Sequence, residues 1–156
     1  MKNYFFRLNF TPICFALASI FFFSCVSEKI DEDHKSSDKL EVVCTTGMVA
    51  DLAKRIGGTR VNVIGLMGPG VDPHYYKASQ GDLKKLEHAG LVLYNGLFLE
   101  GKMETLFTRV GATKPVVAVA SNLPENRLLQ PPEFEGNFDP HVWFDVQLWS
   151  KTVNVV

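Results

Sequence analysis

The amino-acid sequence predicts an α/β fold, a doubly wound lobe built on a mostly parallel four-stranded sheet. Two observations lead there. Four short runs rich in apolar and β-branched residues, at 41–45, 60–67, 90–94 and 115–120, alternate with segments whose apolar residues recur at helical spacing. Runs that are apolar nearly throughout are those buried on both faces of a parallel sheet, and the intervening helices supply the cover. The other observation is that turn-forming sequences follow the strands, among them Gly65-Leu66-Met67-Gly68-Pro69-Gly70 and Asn95-Gly96. In an open parallel sheet, ligands bind beyond the carboxyl ends of the strands, where such loops gather.

Each element has a local reason. The first strand, Glu41 to Thr45, is followed by Met48, Val49, Leu52, Ala53 and Ile56 on one helical face, and Gly57-Gly58 ends that helix. The second strand leads into a glycine-rich turn. Ser79 then caps a helix with Asp82 at the third position, a variant of the capping box, and Leu83, Leu86 and Ala89 form its buried side. His88, in the last turn of that helix, suits the helix dipole and is read as a surface residue. The third strand ends at Asn95-Gly96, and Met103, Leu106 and Phe107 mark the next helix before the fourth strand. From Ser121 to Phe138 runs a long connection containing Pro124, Pro131 and Pro132, read as a loop without regular structure. Asp145 caps a final helix carrying Leu148, Trp149, Val153 and Val156, and the sequence stops inside this apolar run.

The N-terminal segment predicts export. Lys2 and Arg7 precede an apolar run from Pro12 to Phe23, too short to span a bilayer as a helix and suited to a signal-peptide core. The run ends in Phe22-Phe23-Ser24-Cys25, similar to a bacterial lipobox in which Cys25 carries the lipid. Residues 1–24 are then a lipoprotein signal peptide, and residues 25–39, polar and charged, a flexible tether in which His34 has no role. Cys14 leaves with the signal, so Cys44 is the one thiol of the folded body and is read as a small core hydrophobe. The folded lobe occupies 40–144, and 145–156 starts the last helix. With 16 basic and 17 acidic residues in 156, no basic stripe marks a nucleic-acid partner.

The most informative stretch is Asp72-Pro73-His74, which returns as Asp139-Pro140-His141. Proline stiffens each loop and holds the preceding Asp extended, so each His emerges from a rigid scaffold. Each Asp is placed to cap a backbone amide or to orient the imidazole. Two such histidines are what a metal site needs from one half of a protein. His74 and His141 are therefore the candidate metal ligands, expected to converge at one rim of the sheet, with Asp72 and Asp139 as turn or supporting residues. No nucleophile elbow, phosphate loop or H-E-x-x-H pattern accompanies them.

With these motifs in place, the chain resembles the N-terminal half of a cluster A-I metal-binding lipoprotein, the substrate-binding component of manganese and zinc ABC importers. The resemblance rests on the lipobox-like Cys25, on Asp72-Pro73-His74-Tyr75-Tyr76, on Asn95-Gly96-Leu97-Phe98-Leu99-Glu100 and on Asp139-Pro140-His141-Val142-Trp143-Phe144-Asp145. It implies two α/β lobes joined by a long helix, of which this chain supplies the first lobe and the helix start. It also implies that His74 and His141 are the first two ligands. A third (His or Glu) and a fourth (Asp) would come from a second lobe that these residues do not include. The chain is thus expected to be a truncated or split form of a protein about twice as long. The expected cargo is Mn²⁺ or Zn²⁺. Zinc-specific members often carry a His-rich loop before the second ligand, and the absence of histidine from 121–138 tilts the reading towards manganese or a mixed specificity. The expected partners are an ABC permease and its ATPase, with the membrane reached through a lipid anchor on the extracytoplasmic side and no enzymatic activity. A metal-dependent hydrolase and a surface adhesin lipoprotein are the alternatives.

Overall fold

The computed structural model describes residues 39–156, so the expectations for the signal peptide, the lipidated Cys25 and most of the tether lie outside the described residues. Four strands, β1 (Leu40–Cys44), β2 (Val61–Gly65), β3 (Leu91–Tyr94) and β4 (Val116–Ala118), form one sheet of order β2-β1-β3-β4 with every pairing parallel. Helices α1 (Gly47–Gly57), α2 (Gln80–His88) and α3 (Glu104–Gly111) connect them, and α4 (Val146–Trp149) follows the long connection. Strands β2 and β4 are shorter than the runs that suggest them. The apolar residues beyond them, Leu66, Met67, Val119 and Ala120, are buried at the rim, where their backbone N–H groups still donate to the carbonyls of Cys44, Thr45, Tyr94 and Asn95.

The strand period of two sorts the side chains to two faces. Val42, Cys44 and Leu93 point to the side covered by Val49, Leu52 and Ala53 of α1, with Trp149 and Val156 packed beside them. Val43 and Val92 point to the other side, against Leu86 of α2 and Met103 and Phe107 of the α3 region. The sheet is thus doubly wound. Cys44 is fully buried, and burial pushes its thiol up to about 12, which leaves it an inert packing residue.

Local bonds fix the helix ends. The Thr46 hydroxyl accepts from Val49 N at the start of α1, and Gly58, at φ +55° and ψ −128°, takes a positive-φ conformation open to glycine after it. The Ser79–Asp82 capping box is complete. It also carries more than a cap. Asp82 is only 5% exposed and takes the hydroxyls of Tyr76 (2.7 Å) and Ser79 (2.6 Å) and the ammonium of Lys85 (3.0 Å). Burial alone would push its carboxyl up, but these bonds outweigh it and hold the group well below the usual carboxylate range. At the other end of α2 the Lys114 ammonium donates to the carbonyls of Leu86 (3.0 Å), Ala89 (2.9 Å) and Glu87. His88 is exposed, with Nδ1 at 2.7 Å from Lys84 O.

Two expectations need correction. The 121–138 connection contains two 3-10 turns, Glu125–Arg127 and Pro132–Phe134, and Leu123 and Leu128 pin it to a small cluster with Val142 and Leu148. The C-terminal helix is a single α-turn capped by Asp145, whose carboxylate accepts from Leu148 N, and it continues as 3-10 turns through Ser150–Asn154. The β-branched and hydroxyl residues there favour α-helix weakly, and Thr152 donates back to Trp149 O at 2.7 Å. The tighter winding changes which residues face in: Thr152 is buried, whereas Val153 is half-exposed.

Candidate metal centre

The sheet order puts the switch point between β1 and β3, whose connections leave towards opposite faces. The loops beyond the carboxyl ends of the strands gather there. His74 comes from the loop after β2, and His141 arrives from the long connection after β4.

Their side chains meet. Nε2 of His74 lies 3.3 Å from Nε2 of His141, with ring centroids 5.4 Å apart and planes inclined by 57°. Two imidazole nitrogens about 2.05 Å from one ion, at the tetrahedral angle, stand about 3.3 Å apart. The observed spacing matches that of two ligands on one ion, and in the metal-free chain it is also a hydrogen-bond contact between the two rings.

The two aspartates play unequal parts. Asp72 Oδ1 accepts only from the backbone N of His74, at 2.9 Å, and closes an Asx turn. Asp139 Oδ1 accepts from the backbone N of His141 at 2.9 Å and also from its ring Nδ1 at 2.6 Å. In the neutral ring that bond places the proton on Nδ1 and leaves the Nε2 lone pair facing His74. Trp143 meets the His141 ring edge-on, with centroids at 5.2 Å, and Phe134 flanks it at 6.1 Å. The His74 loop is anchored by Tyr76, whose hydroxyl reaches the buried Asp82. Beside His141 opens a cavity of about 340 Å³ lined by Arg127, Leu129, Asp139, Phe144 and Leu148. Among the described residues no third His, Cys, Asp or Glu joins the pair.

A second polar group lies beneath the histidines and was not assigned a role from the sequence. Glu100, 1% exposed, accepts from Thr45 Oγ1 at 2.6 Å, Asn95 N at 2.8 Å and Gly96 N at 3.3 Å. Thr45 follows β1 and Asn95 follows β3, so this carboxylate fills the crevice at the switch point. Burial pushes its carboxyl up, opposed by the bonds it accepts. It also holds an unusual turn. Gly96, Leu97 and Phe98 have φ of +85°, +53° and +66°, a left-handed run costing of order 1 kcal/mol at each non-glycine position. Gly96 has a second reason to be glycine, since a Cβ there would stand 2.9 Å from Ala118 Cβ. The one signal in the sequence is a charged residue closing the otherwise apolar Leu97-Phe98-Leu99, a pattern equally suited to a solvent-facing turn.

A model of the family described as ZnuA, zinc-uptake complex component A, periplasmic, matches residues 42–156. The chain is 53% identical over 128 residues to the manganese-binding lipoprotein MntA of Bacillus subtilis, covering 81% of this chain and 41% of that protein. It is 49% identical over 125 residues to the zinc-binding protein TroA of Treponema pallidum, covering 80% of this chain and 40% of that one. The solved structure of that periplasmic zinc-binding protein superposes with a TM-score of 0.70 at 50% identity, over 74% of this chain and 41% of its own. The chain thus spans about two-fifths of the length of these relatives. With the family model extending from within β1 through the other three strands and both D-P-H loops, the chain belongs to the zinc-uptake complex component A family of periplasmic metal-binding proteins.

Proposed function

We propose that this chain takes part in extracytoplasmic capture of a divalent metal ion, Mn²⁺ or Zn²⁺, as cargo for an ABC permease driven by its ATPase. His74 and His141 are the ligands it contributes. The observation that carries this reading is the 3.3 Å spacing of the two Nε2 atoms, the separation of two ligands on one ion. The relatives named as manganese- and zinc-binding proteins support the choice of cargo. Two imidazoles form half of a zinc site and less of a manganese site, so the remaining ligands belong to a second lobe of the longer protein. Cys25, in its lipobox-like context, carries the anchor to the membrane. The role is binding and hand-over, with no reaction on the cargo.

Isothermal titration of the purified chain with MnCl₂ and ZnCl₂ tests the site. His74→Ala and His141→Ala should each weaken binding by about tenfold or more, because each removes one of two ligands. Unchanged affinity in both variants would remove the pair as ligands and the capture role with it.

A further inference from the structure

Asn95 stands directly after β3 and is 1% exposed. Both protons of its side-chain amide are committed, one to the carbonyl of Gly96 at 3.0 Å and one to the carbonyl of Pro140 at 3.0 Å. Two carbonyl partners define which end of the amide is nitrogen. Pro140 is the middle of the second D-P-H, is buried, and immediately precedes His141. The amide therefore ties the end of a central strand to the peptide that launches the second histidine. The neighbouring backbone bond of that loop, from Asp139 N to Leu129 O at 2.8 Å, joins it only to its own connection.

From below, the Glu100 carboxylate takes the N–H groups of Asn95 and Gly96 and the hydroxyl of Thr45. That fixes the Asn95 backbone against both central strands. A continuous polar path thus runs from the end of β1 through Thr45, Glu100, Asn95 and Pro140 to His141. Around it the rim is apolar, with Leu99, Val119 and Ala120 all buried. Packing alone does not call for a buried carboxylate and amide there, since apolar groups of the same shape can serve as well when both partners are replaced. What such a network adds is direction, and a ligand pair needs its atoms held to within about 0.5 Å.

We propose that Asn95 is a positioning residue for His141, its amide clamping Pro140 to the end of β3 while Glu100 and Thr45 lock its backbone, so that the two imidazoles are held at metal-sharing distance before any ion arrives. The consequence for affinity rests on the metal-capture reading above; the positioning itself does not.

The test uses the whole chain carrying Asn95→Asp, which keeps the shape and removes both donors, with Asn95→Ser, whose hydroxyl is too short to span both carbonyls, as the second variant where the first does not fold. Val110→Ala is the control, at the end of α3 remote from the rim and packed in the opposite-face core. Three quantities are read: the thermal midpoint, Mn²⁺ and Zn²⁺ affinity by titration with the metal alone, and cross-relaxation between the His74 and His141 ring protons in the metal-free protein. The Asn95 variant should lose the ring-to-ring cross-relaxation and about tenfold in metal affinity. Val110→Ala should lower the midpoint while keeping both. Cross-relaxation retained in a folded Asn95 variant overturns the proposal whatever the metal does, as does, where the wild-type chain binds metal, an affinity loss no greater than that of the control at an equal drop in midpoint. If the wild-type chain takes up no metal but the Asn95 variant still separates the rings, the capture reading fails and the positioning role stands.

Discussion

The unequal use of the two aspartates leads to a quantitative prediction. In Asp139→Asn the amide oxygen can still accept from the backbone N of His141, so the turn survives. What is lost is the charge on the 2.6 Å bond to Nδ1. A hydrogen bond to a charged group contributes about 1.5–3 kcal/mol and a neutral one about 0.5–1.5 kcal/mol, so the exchange removes about 1–1.5 kcal/mol from the oriented ring. At 1.4 kcal/mol per tenfold, the Kd for Mn²⁺ or Zn²⁺ should rise about tenfold. Asp72→Asn forfeits no ring contact, because Asp72 accepts only the backbone N–H of His74, and its Kd should change by no more than about twofold. Both variants should keep the wild-type far-ultraviolet circular dichroism. Isothermal titration of the three proteins side by side gives the answer. Equal losses, or a larger loss in Asp72→Asn, would show that the Asp139 carboxylate does not orient the His141 ring.

Two further outcomes concern stability. Asp82→Asn should destabilise the protein at pH 7 by about 1–2 kcal/mol, since the buried acceptor of Tyr76, Ser79 and Lys85 loses its charge. A carboxyl depressed in the folded state contributes stability that is fully present above its ordinary value and is lost as pH falls through the folded value. The gap between wild type and variant in thermal midpoint should therefore begin to narrow below about pH 4, and a gap constant from pH 7 to pH 2 would refute the assignment. Lys114→Met keeps the aliphatic stem but removes the ammonium that caps the last carbonyls of α2. It should cost about 1–2 kcal/mol and accelerate amide exchange in the last turn of α2 more than in α1; equal exchange in the two helices would count against the cap.

Most of what the sequence determined here acts within four residues. Gly58 and the Ser79–Asp82 box end or begin helices through their own backbone neighbours, so they are legible without knowing the fold. The apolar strands alternating with helices suffice for a doubly wound parallel sheet, and a repeated D-P-H is enough to single out His74 and His141 and to suggest what their aspartates do. Strand order, and with it the meeting of two imidazoles 67 positions apart at 3.3 Å, came only from tertiary structure, because crossover connections rather than local propensity decide which loops share a rim. The same holds for Glu100, Asn95 and Lys114. Each is a polar residue whose role depends on partners far along the chain or on burial that no local pattern reveals. Glu100 in particular reads as a solvated turn residue until β1 and β3 are placed side by side and Thr45 closes over it.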